Sequence, residues 1–184
     1  VTGEDEIEYC RRYIVEKYQF HKVTRIVAGG CERYASVYCG LKAIQNADYV
    51  LIHDGARPMI DRNLIKTCIL NVMEYGTCVV GVPSKDTVKV VDERNYAIHT
   101  PERRTLWQVQ TPQCFESDLV MKAYQKLMES GATNATDDAM VVETYGNVPV
   151  KLIEGGYDNI KITTPEDVRI AGSLMKARKI LRVL

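Results

Sequence analysis

Asp54 and Arg57 are the residues whose types and spacing point most directly to chemistry. They lie three positions apart in the segment His53-Asp54-Gly55-Ala56-Arg57-Pro58, which directly follows the apolar run Tyr49–Ile52. A carboxylate can bind Mg²⁺, which prefers oxygen ligands shared with substrate phosphates, and a guanidinium can hold phosphate oxygens in a bidentate fork. The pattern indicates a phosphate and metal site, although the same two residues in a loop can form an ordinary surface ion pair. We interpret His53 as a strand-end residue that orients its neighbours, without a role in proton transfer.

Other small and charged residues follow other predicted strands. Gly30 follows the first predicted strand and allows close approach of the backbone to a flat ligand. Ser36 lies early in the next predicted helix, where its hydroxyl could bond a base or a phosphate. Lys161 and Thr163 alternate along a short predicted strand, so both could point at one anion. Each group alone is compatible with a simple loop or a solvated charge, but the ends of parallel strands gather at one edge of a sheet, where these groups would converge.

The elements that must position these residues alternate between helical and extended patterns. The predicted helices cover residues 7–18, 36–44, 63–74, 117–130 and 137–145, and a last helix opens at Pro165-Glu166-Asp167. The predicted strands cover residues 23–28, 49–52, 78–82, 148–153 and 159–162. This order predicts an α/β fold with a mostly parallel sheet and helices on both faces. The polar, β-prone stretch from Lys85 to about Gln110 predicts a hairpin that leaves the body of the domain.

Composition limits the classes of protein to which the chain can belong. It has 184 residues, of which 46% are hydrophobic, and its 24 Lys and Arg balance 24 Asp and Glu. These values predict one globular domain over residues 1–184. Zero net charge argues against a protein that wraps nucleic acid or binds an anionic membrane surface. No apolar run reaches the roughly 18–20 residues of a membrane span and no signal peptide is visible, so we expect a cytoplasmic protein without nucleic-acid or membrane partners.

The cysteines show no metal-binding or disulfide pattern. The six are Cys10, Cys31, Cys39, Cys68, Cys78 and Cys114. None lies in a Cys-x-x-Cys pair, and with three scattered histidines they do not match a zinc spacing. Several lie in apolar stretches, so we interpret them as buried free thiols of a reducing compartment.

Four motifs together resemble one enzyme family. They are His53-Asp54-Gly55-Ala56-Arg57-Pro58, Asp86-Thr87-x-Lys89, Leu106-Trp107-x-x-Gln110-Thr111-Pro112-Gln113 and Asp158-Asn159-Ile160-Lys161-Ile162-Thr163-x-Pro165-Glu166-Asp167. In this order they are similar to the 2-C-methyl-D-erythritol 4-phosphate cytidylyltransferases of the non-mevalonate isoprenoid pathway. The resemblance runs from about Val1 to about Ala171.

The resemblance implies a Rossmann-like nucleotidyltransferase fold, a homodimer, and Mg²⁺-dependent transfer of CMP from CTP to methylerythritol phosphate with release of pyrophosphate. By motif position, Asp54 would bind Mg²⁺ and act in catalysis with Arg57 and Lys161. The residues against the nucleotide or the substrate phosphate would be Gly30, Ser36, Arg57, Lys161 and Thr163. Those against methylerythritol phosphate would be Thr87, Arg103 and Thr111. Residues 85–110 would form a dimerisation arm that places Thr87 and Arg103 in the neighbouring subunit's active site.

The sequence departs from the family pattern in two places. Cys31 stands where the family usually has an acidic residue. The family's opening strand, its Gly-rich triphosphate loop and a Pro-Lys-Gln segment are not in the printed sequence, which leads us to expect that this chain alone is inactive or that an N-terminal segment precedes it. Two other activities stay open as alternatives, a ribitol-5-phosphate cytidylyltransferase and a general sugar-nucleotide transferase.

Overall fold

A computed structural model describes residues 1–181, which form two compact units. One unit contains Val1–Val50 and Phe115–Val150, and the other contains Leu51–Cys114 and Lys151–Leu184. Two of the three boundaries fall inside strands, β1 (Tyr49–Ile52) and β5 (Trp107–Glu116). The prediction of a single nucleotidyltransferase domain over 1–184 stays a prediction. Across the described residues, the helices are too short or too polar to cross a membrane.

The first unit is helical. It opens with a 3₁₀ turn (Glu4–Glu6) that leads into α1 (Ile7–Cys10) and a π-helical stretch (Arg11–Glu16). The other helices of this unit are α2 (Arg33–Ala43), α4 (Ser117–Ser130) and α5 (Asp138–Val141), which continues as a π-helix (Val142–Gly146). Helix α4 buries Val120, Ala123, Tyr124 and Leu127, the spacing that puts side chains on one helical face. This face packs against α2, α5 and the Val142–Gly146 turn, so the unit has a core centred on α4.

A buried polar network ties three helices of the first unit together. Arg33 at the start of α2 donates two hydrogen bonds, of 3.0 and 2.8 Å, to the carboxylate of Asp138, which is fully buried. The Tyr124 hydroxyl of α4 donates to the same carboxylate. Burial, reinforced by the neighbouring Asp138 charge, raises the pKa of Tyr124, so the phenol stays protonated and keeps donating. The three residues are up to 105 positions apart along the chain, so no local sequence pattern predicts this network.

A four-stranded sheet has the order β1-β5-β2-β6, with β2 at Thr77–Pro83 and β6 at Leu152–Glu154. Strands β2 and β6 are parallel, with Val79 opposite Leu152 and Gly81 opposite Glu154. Two contacts show how β2 runs relative to β5. A Cβ at Gly81 would lie 3.2 Å from the Gln108 carbonyl oxygen, and further along the chain Ser84 N donates to the Leu106 carbonyl at 2.9 Å. As the residue number rises on the β2 side it falls on the β5 side, so the two strands run in opposite directions. The sheet is therefore mixed, and the predicted α/β fold of strands covered by helices is confirmed.

Two helices of the second unit match the sequence expectation closely. Helix α3 (Arg62–Tyr75) begins after Asp61, whose side chain accepts from Leu64 N, and ends at Gly76, whose φ of 71° is left-handed. It packs on β2 and buries Cys68 and Val72. Helix α6 spans Pro165–Leu181, as the Pro-Glu-Asp opening predicted.

The predicted hairpin is present but shorter than expected. Strands β3 (Val90–Val91) and β4 (Ala97–His99) form an antiparallel pair, and their residues are exposed. A short 3₁₀ turn follows at Arg103–Thr105. Residues 107–110, which we had assigned to the arm, instead begin the main-sheet strand β5.

Three strand predictions need correction. Residues 23–28 form no strand, because among the described residues only Thr2 pairs with them, through an isolated bridge to Ala28. Residues 159–162 form no strand either, since Ile162 N donates to the Ala56 carbonyl of a loop instead of to a ladder partner. The strand predicted at 148–153 is confined to β6, and β5 was not predicted at all.

Candidate active site

The turn that follows β1 holds the first two predicted catalytic residues side by side. Arg57 N donates to the Asp54 carbonyl at 3.0 Å, which closes the turn. Within it, Arg57 Nε lies 3.3 Å from Asp54 Oδ2. The side chains are only 12% and 14% exposed, so this pair is much better shielded than an ordinary surface ion pair.

Lys161 reaches the same carboxylate oxygen from a distant part of the sequence. Its Nζ lies 3.3 Å from Asp54 Oδ2, and its side chain is 42% exposed. Two cations against one carboxylate leave the cluster with one positive charge, which favours an anion such as a phosphate. The structure therefore brings Asp54, Arg57 and Lys161 together in the second unit, and their catalytic roles stay predictions.

His53 and Thr111 hold the turn at both ends. The Thr111 hydroxyl accepts a hydrogen bond from Asp54 N at 3.1 Å and lies 3.0 Å from His53 Nδ1. His53 Nε2 lies 3.0 Å from the Arg57 carbonyl oxygen, which can only accept. His53 Nε2 therefore carries a proton and donates to the Arg57 carbonyl, while Nδ1 forms the second hydrogen bond with the Thr111 hydroxyl. These bonds fix the direction in which the Asp54 and Arg57 side chains leave the turn, as expected of a strand-end residue that orients its neighbours.

Asn159 and Gln110 position the loop that carries Lys161. The fully buried Asn159 side-chain amide donates to Gln110 Oε1 at 3.1 Å and to the Thr111 carbonyl at 2.9 Å. Gln110 Nε2 donates to the Gly156 carbonyl at 3.0 Å. The Asn159 carbonyl in turn accepts from Arg57 Nη1 at 2.7 Å. The loop is thus bonded to β5 and to the Asp54–Arg57 turn, which explains how Lys161 arrives beside Asp54 without belonging to a strand.

Thr163 does not share an anion-facing strand with Lys161, contrary to the expectation from their alternation. Its hydroxyl donates to Asp167 Oδ2 at 3.1 Å, and the backbone N–H groups of Thr163 and Thr164 donate to the same oxygen. These donors, the backbone of Thr163 first, lower the pKa of Asp167. The arrangement caps α6, so the structure gives the Thr163 side chain a role at the helix start, and its predicted role against a ligand stays a prediction.

Gly30 and Ser36 lie in the first unit and contact each other. Gly30 N donates to Ser36 Oγ at 3.1 Å, and that hydroxyl lies 3.2 Å from the Gly30 carbonyl oxygen, to which it donates. A Cβ on Gly30 would come within 2.5 Å of Ala35 Cβ, so only glycine allows the loop to lie this close to α2. The Gly30 loop therefore lies directly against α2, and its contact with a base or ribose stays a prediction.

Thr87 and Arg103 lie around the base of the exposed hairpin. Thr87 is exposed, and Arg103 Nη1 donates to the Lys85 carbonyl at 3.2 Å. Lys85 Nζ lies 3.4 Å from the centre of the Tyr157 ring, and the Tyr157 hydroxyl donates to the Pro83 carbonyl at 2.8 Å. This cation–π contact and hydrogen bond hold the base of the hairpin against the loop that leads to Asn159.

Known proteins resemble this chain over nearly its whole length. The family model described as "IspD: 2-C-methyl-D-erythritol 4-phosphate cytidylyltransferase" matches residues 3–177. A 2-C-methyl-D-erythritol 4-phosphate cytidylyltransferase from Lachnospira eligens is 52% identical over 96% of this chain and 78% of its own length. One from Alkaliphilus oremlandii is 49% identical over 97% of this chain and 75% of its own length.

Solved structures agree with the sequence comparisons. A 4-diphosphocytidyl-2C-methyl-D-erythritol synthase from Anaerococcus prevotii superimposes with a TM-score of 0.85 and 34% identity, over 95% of this chain and 76% of that one. The Thermus thermophilus 2-C-methyl-D-erythritol 4-phosphate cytidylyltransferase gives a TM-score of 0.73 and 34% identity, over 82% of this chain and 72% of that one. By sequence and by fold, this chain belongs to the 2-C-methyl-D-erythritol 4-phosphate cytidylyltransferase family.

Proposed function

We propose that this chain transfers a cytidylyl group from CTP to 2-C-methyl-D-erythritol 4-phosphate and releases pyrophosphate. Membership of the family supports this activity, which belongs to isoprenoid biosynthesis. The observation within the molecule that carries the proposal is the contact of Arg57 and Lys161 with one oxygen of Asp54. Lys161, from a motif about a hundred residues away, thus joins Asp54 and Arg57 of the His53–Pro58 motif in one positively charged cluster, which suits phosphate chemistry.

The reaction requires positioned charge more than a protein nucleophile. An oxygen of the polyol phosphate attacks the α-phosphorus of CTP, a new P–O bond forms, and the bond to pyrophosphate breaks. Negative charge crowds at the reacting phosphorus, so catalysis consists of alignment and of cations placed where that charge develops. Arg57, held by the Asn159 carbonyl, is suited to fix a phosphate in one orientation. Lys161 is more exposed, and its ammonium group is suited to stabilise the negative charge that develops on the phosphate oxygens in the transition state.

Asp54 is the residue that we propose for Mg²⁺. The donor set fits this ion, because one carboxylate leaves most coordination positions to phosphate oxygens and water, as is usual for Mg²⁺. When bound, the ion would neutralise charge on the triphosphate. Since two cations already contact Asp54, we expect Mg²⁺ to bind tightly only together with CTP. Titration calorimetry with Mg²⁺ alone and with CTP present tests this, and equal affinity in both conditions would contradict the assignment.

We also propose that the protein acts as a homodimer through residues 85–110. The exposed β3–β4 pair, with Ile98 64% and Tyr96 72% exposed, supports this proposal because such apolar side chains on a two-stranded ribbon gain by burial in an interface. Thr87 and Arg103 at the base of the hairpin would then contact methylerythritol phosphate in the neighbouring subunit, and Thr111 would contact it from β5. A cytoplasmic location stays a prediction.

Pyrophosphate release tests the choice of substrate. The purified protein, CTP and Mg²⁺ are supplied with either methylerythritol 4-phosphate or ribitol 5-phosphate, and the two rates are compared. We expect turnover with methylerythritol phosphate and little with the longer polyol, in keeping with the names of the relatives. Faster turnover of ribitol phosphate would overturn the proposed substrate, and no turnover of either would overturn the activity of this chain.

A further inference from the structure

Three cysteines of the second unit form a cluster that cytidylyl transfer does not use. Cys68 lies on α3, Cys78 on β2 and Cys114 on β5, and their sulfur atoms all lie within 4.8 Å of one another. All three residues are fully buried, and all are free thiols. Elements far apart in sequence thus place three soft ligands around one point.

The spacing of these sulfurs suits a shared ion. With a metal–sulfur bond of about 2.3 Å, three sulfurs around one ion stand roughly 3.4–4.0 Å apart, the short end belonging to a pyramidal ion with a lone pair. The sulfurs lie within 4.8 Å of one another, so binding requires them to approach by at most roughly 1.4 Å. Within residues 1–181, the cluster contains no histidine or carboxylate as a fourth ligand, so the site favours an ion that accepts three sulfurs.

The surroundings select the charge of the ion. Val72, one helical turn after Cys68, and Val80, two residues after Cys78 on the same face of β2, are fully buried and apolar. Each thiol must lose its proton to bind a metal. Three thiolates would leave two negative charges with a monovalent ion, one with a divalent ion and none with a trivalent ion. Because an unpaired charge is costly in an apolar interior, the neutral complex is favoured.

We propose that Cys68, Cys78 and Cys114 form a binding site for one trivalent thiophilic metalloid ion, with arsenic(III) as the soluble form. Arsenous acid, As(OH)₃, reacts with the three thiols to give As(SR)₃ and three water molecules. Three As–O and three S–H bonds break, three As–S bonds and three O–H bonds form, and no atom is oxidised or reduced. The product carries no charge into the core.

Access to the cluster is slow because its residues are buried, so binding requires local opening. The exposed Cys31 and the half-buried Cys10 and Cys39 would react sooner and obscure the result. The protein for the test therefore carries Cys10→Ser, Cys31→Ser and Cys39→Ser, which leaves only the clustered thiols. It is incubated with arsenous acid when folded, and in parallel it is refolded in its presence.

Native mass spectrometry counts the bound arsenic, and arsenic K-edge X-ray absorption identifies its neighbours. We expect one arsenic per chain with three sulfur neighbours and no oxygen. A bound arsenic that keeps an oxygen neighbour, or no bound arsenic after either treatment, would overturn the proposal.

Two further variants separate binding from folding. Cys114→Ala should weaken arsenic binding by about 10²–10⁴-fold, the advantage that one more linked ligand supplies. Val82→Ala, at a buried β2 position outside the cluster, also removes core volume but should bind like the parent. Equal binding by Cys114→Ala and the parent would contradict the site. If circular dichroism shows that Cys114→Ala does not fold, the arsenic X-ray absorption spectrum of the parent protein alone tests whether arsenic has three sulfur neighbours.

Discussion

Replacing Lys161 with alanine isolates one cation of the candidate site. Its Nζ lies 3.3 Å from Asp54 Oδ2, and its side chain is 42% exposed. An ion pair with so much exposure contributes only about 0.2–1 kcal/mol to folding. Lys161→Ala should therefore fold normally, which thermal unfolding followed by circular dichroism can verify.

The effect on catalysis should be much larger than the effect on stability. Unit charges about 4 Å apart interact by roughly 4 kcal/mol at an effective dielectric constant of 20, and each 1.36 kcal/mol corresponds to about a tenfold change in rate. A reacting phosphate at the distance now held by Asp54 would thus lose up to about 10³ in rate. Solvent exposure of Lys161 lowers the expectation to about 10²–10³ in kcat, similar to the loss of one oxyanion-hole donor.

The assay is continuous pyrophosphate release at saturating CTP and methylerythritol phosphate. Lys176→Ala is the matched control, since Lys176 is an exposed lysine on α6 outside the proposed site, and it should keep the wild-type rate. Wild-type kcat in Lys161→Ala would refute the role of this residue. An equal loss of kcat in both lysine variants would show that the rate depends on the net charge of the protein and not on the position of Lys161.

Three other predictions concern the rest of the molecule. Asp138→Ala should destabilise the protein by about 1–3 kcal/mol, since it leaves the buried Tyr124 hydroxyl without its acceptor, while Arg33, whose side chain is 34% exposed, can turn to solvent. Tyr124→Phe removes one bond to a charge and should cost about 1.5–3 kcal/mol; urea unfolding measures both. A mixed dimer of Arg103→Ala and Asp54→Ala subunits should recover one intact active site and part of the activity. The pKa of Asp167 is lowered in the folded state. Its capping of α6 should therefore stabilise the protein fully above the unfolded pKa of about 3.8, and this stabilisation should be lost as the pH falls through the lower folded pKa. Acid unfolding of the wild type compared with Asp167→Asn measures the effect.

Each of these predictions has an opposite outcome. An Asp138→Ala protein as stable as the wild type would mean that the network does not hold the helices of the first unit. Mixed dimers without activity, when each parent subunit is folded, would place Arg103 in its own subunit's site or outside any site. Identical acid unfolding of the wild type and Asp167→Asn would remove the capping role of the carboxylate.

Sequence patterns predicted the elements whose determinants are local. Helix α3 ends at Gly76, which has a left-handed φ, as predicted for a C-terminal cap, and α4 spans Ser117–Ser130, the predicted range. β1 spans Tyr49–Ile52, a short apolar run between polar segments. In each case, the information lies within a few residues of the boundary.

Structural elements that depend on residues distant in sequence were not predicted, or were predicted wrongly. β5 contains buried Gln110, Thr111 and Gln113, and such polar residues do not give the apolar pattern of a buried strand. They are buried because Gln110 and Thr111 bond the loop around Asn159. The alternation of side-chain types in residues 159–162 suggested a strand, but hydrogen bonds from side chains, and not a strand partner, hold this segment in place. A signal was available, since Gln110 and Asn159 both belong to motifs that carried the family resemblance.

The placement of Lys161 shows the same limit in the site itself. The motifs predicted that it would join Asp54, and it does so at 3.3 Å, but the reason given for its direction was wrong. It is carried by an irregular loop instead of a strand, so Thr163 does not follow it toward the same anion and instead caps α6. Local alternation can suggest which residues share a face only when the segment has a strand partner.

Phosphorus-31 NMR of the reaction tests most directly whether the cluster around Asp54 belongs to an enzyme that joins cytidylyl to a polyol phosphate. The purified protein is mixed with CTP, methylerythritol 4-phosphate and Mg²⁺, and the spectrum is followed with time. We expect a pair of coupled diphosphate resonances that grow in step with pyrophosphate, and neither product without the polyol phosphate. Pyrophosphate that accumulates together with CMP, or a spectrum that does not change, would contradict it.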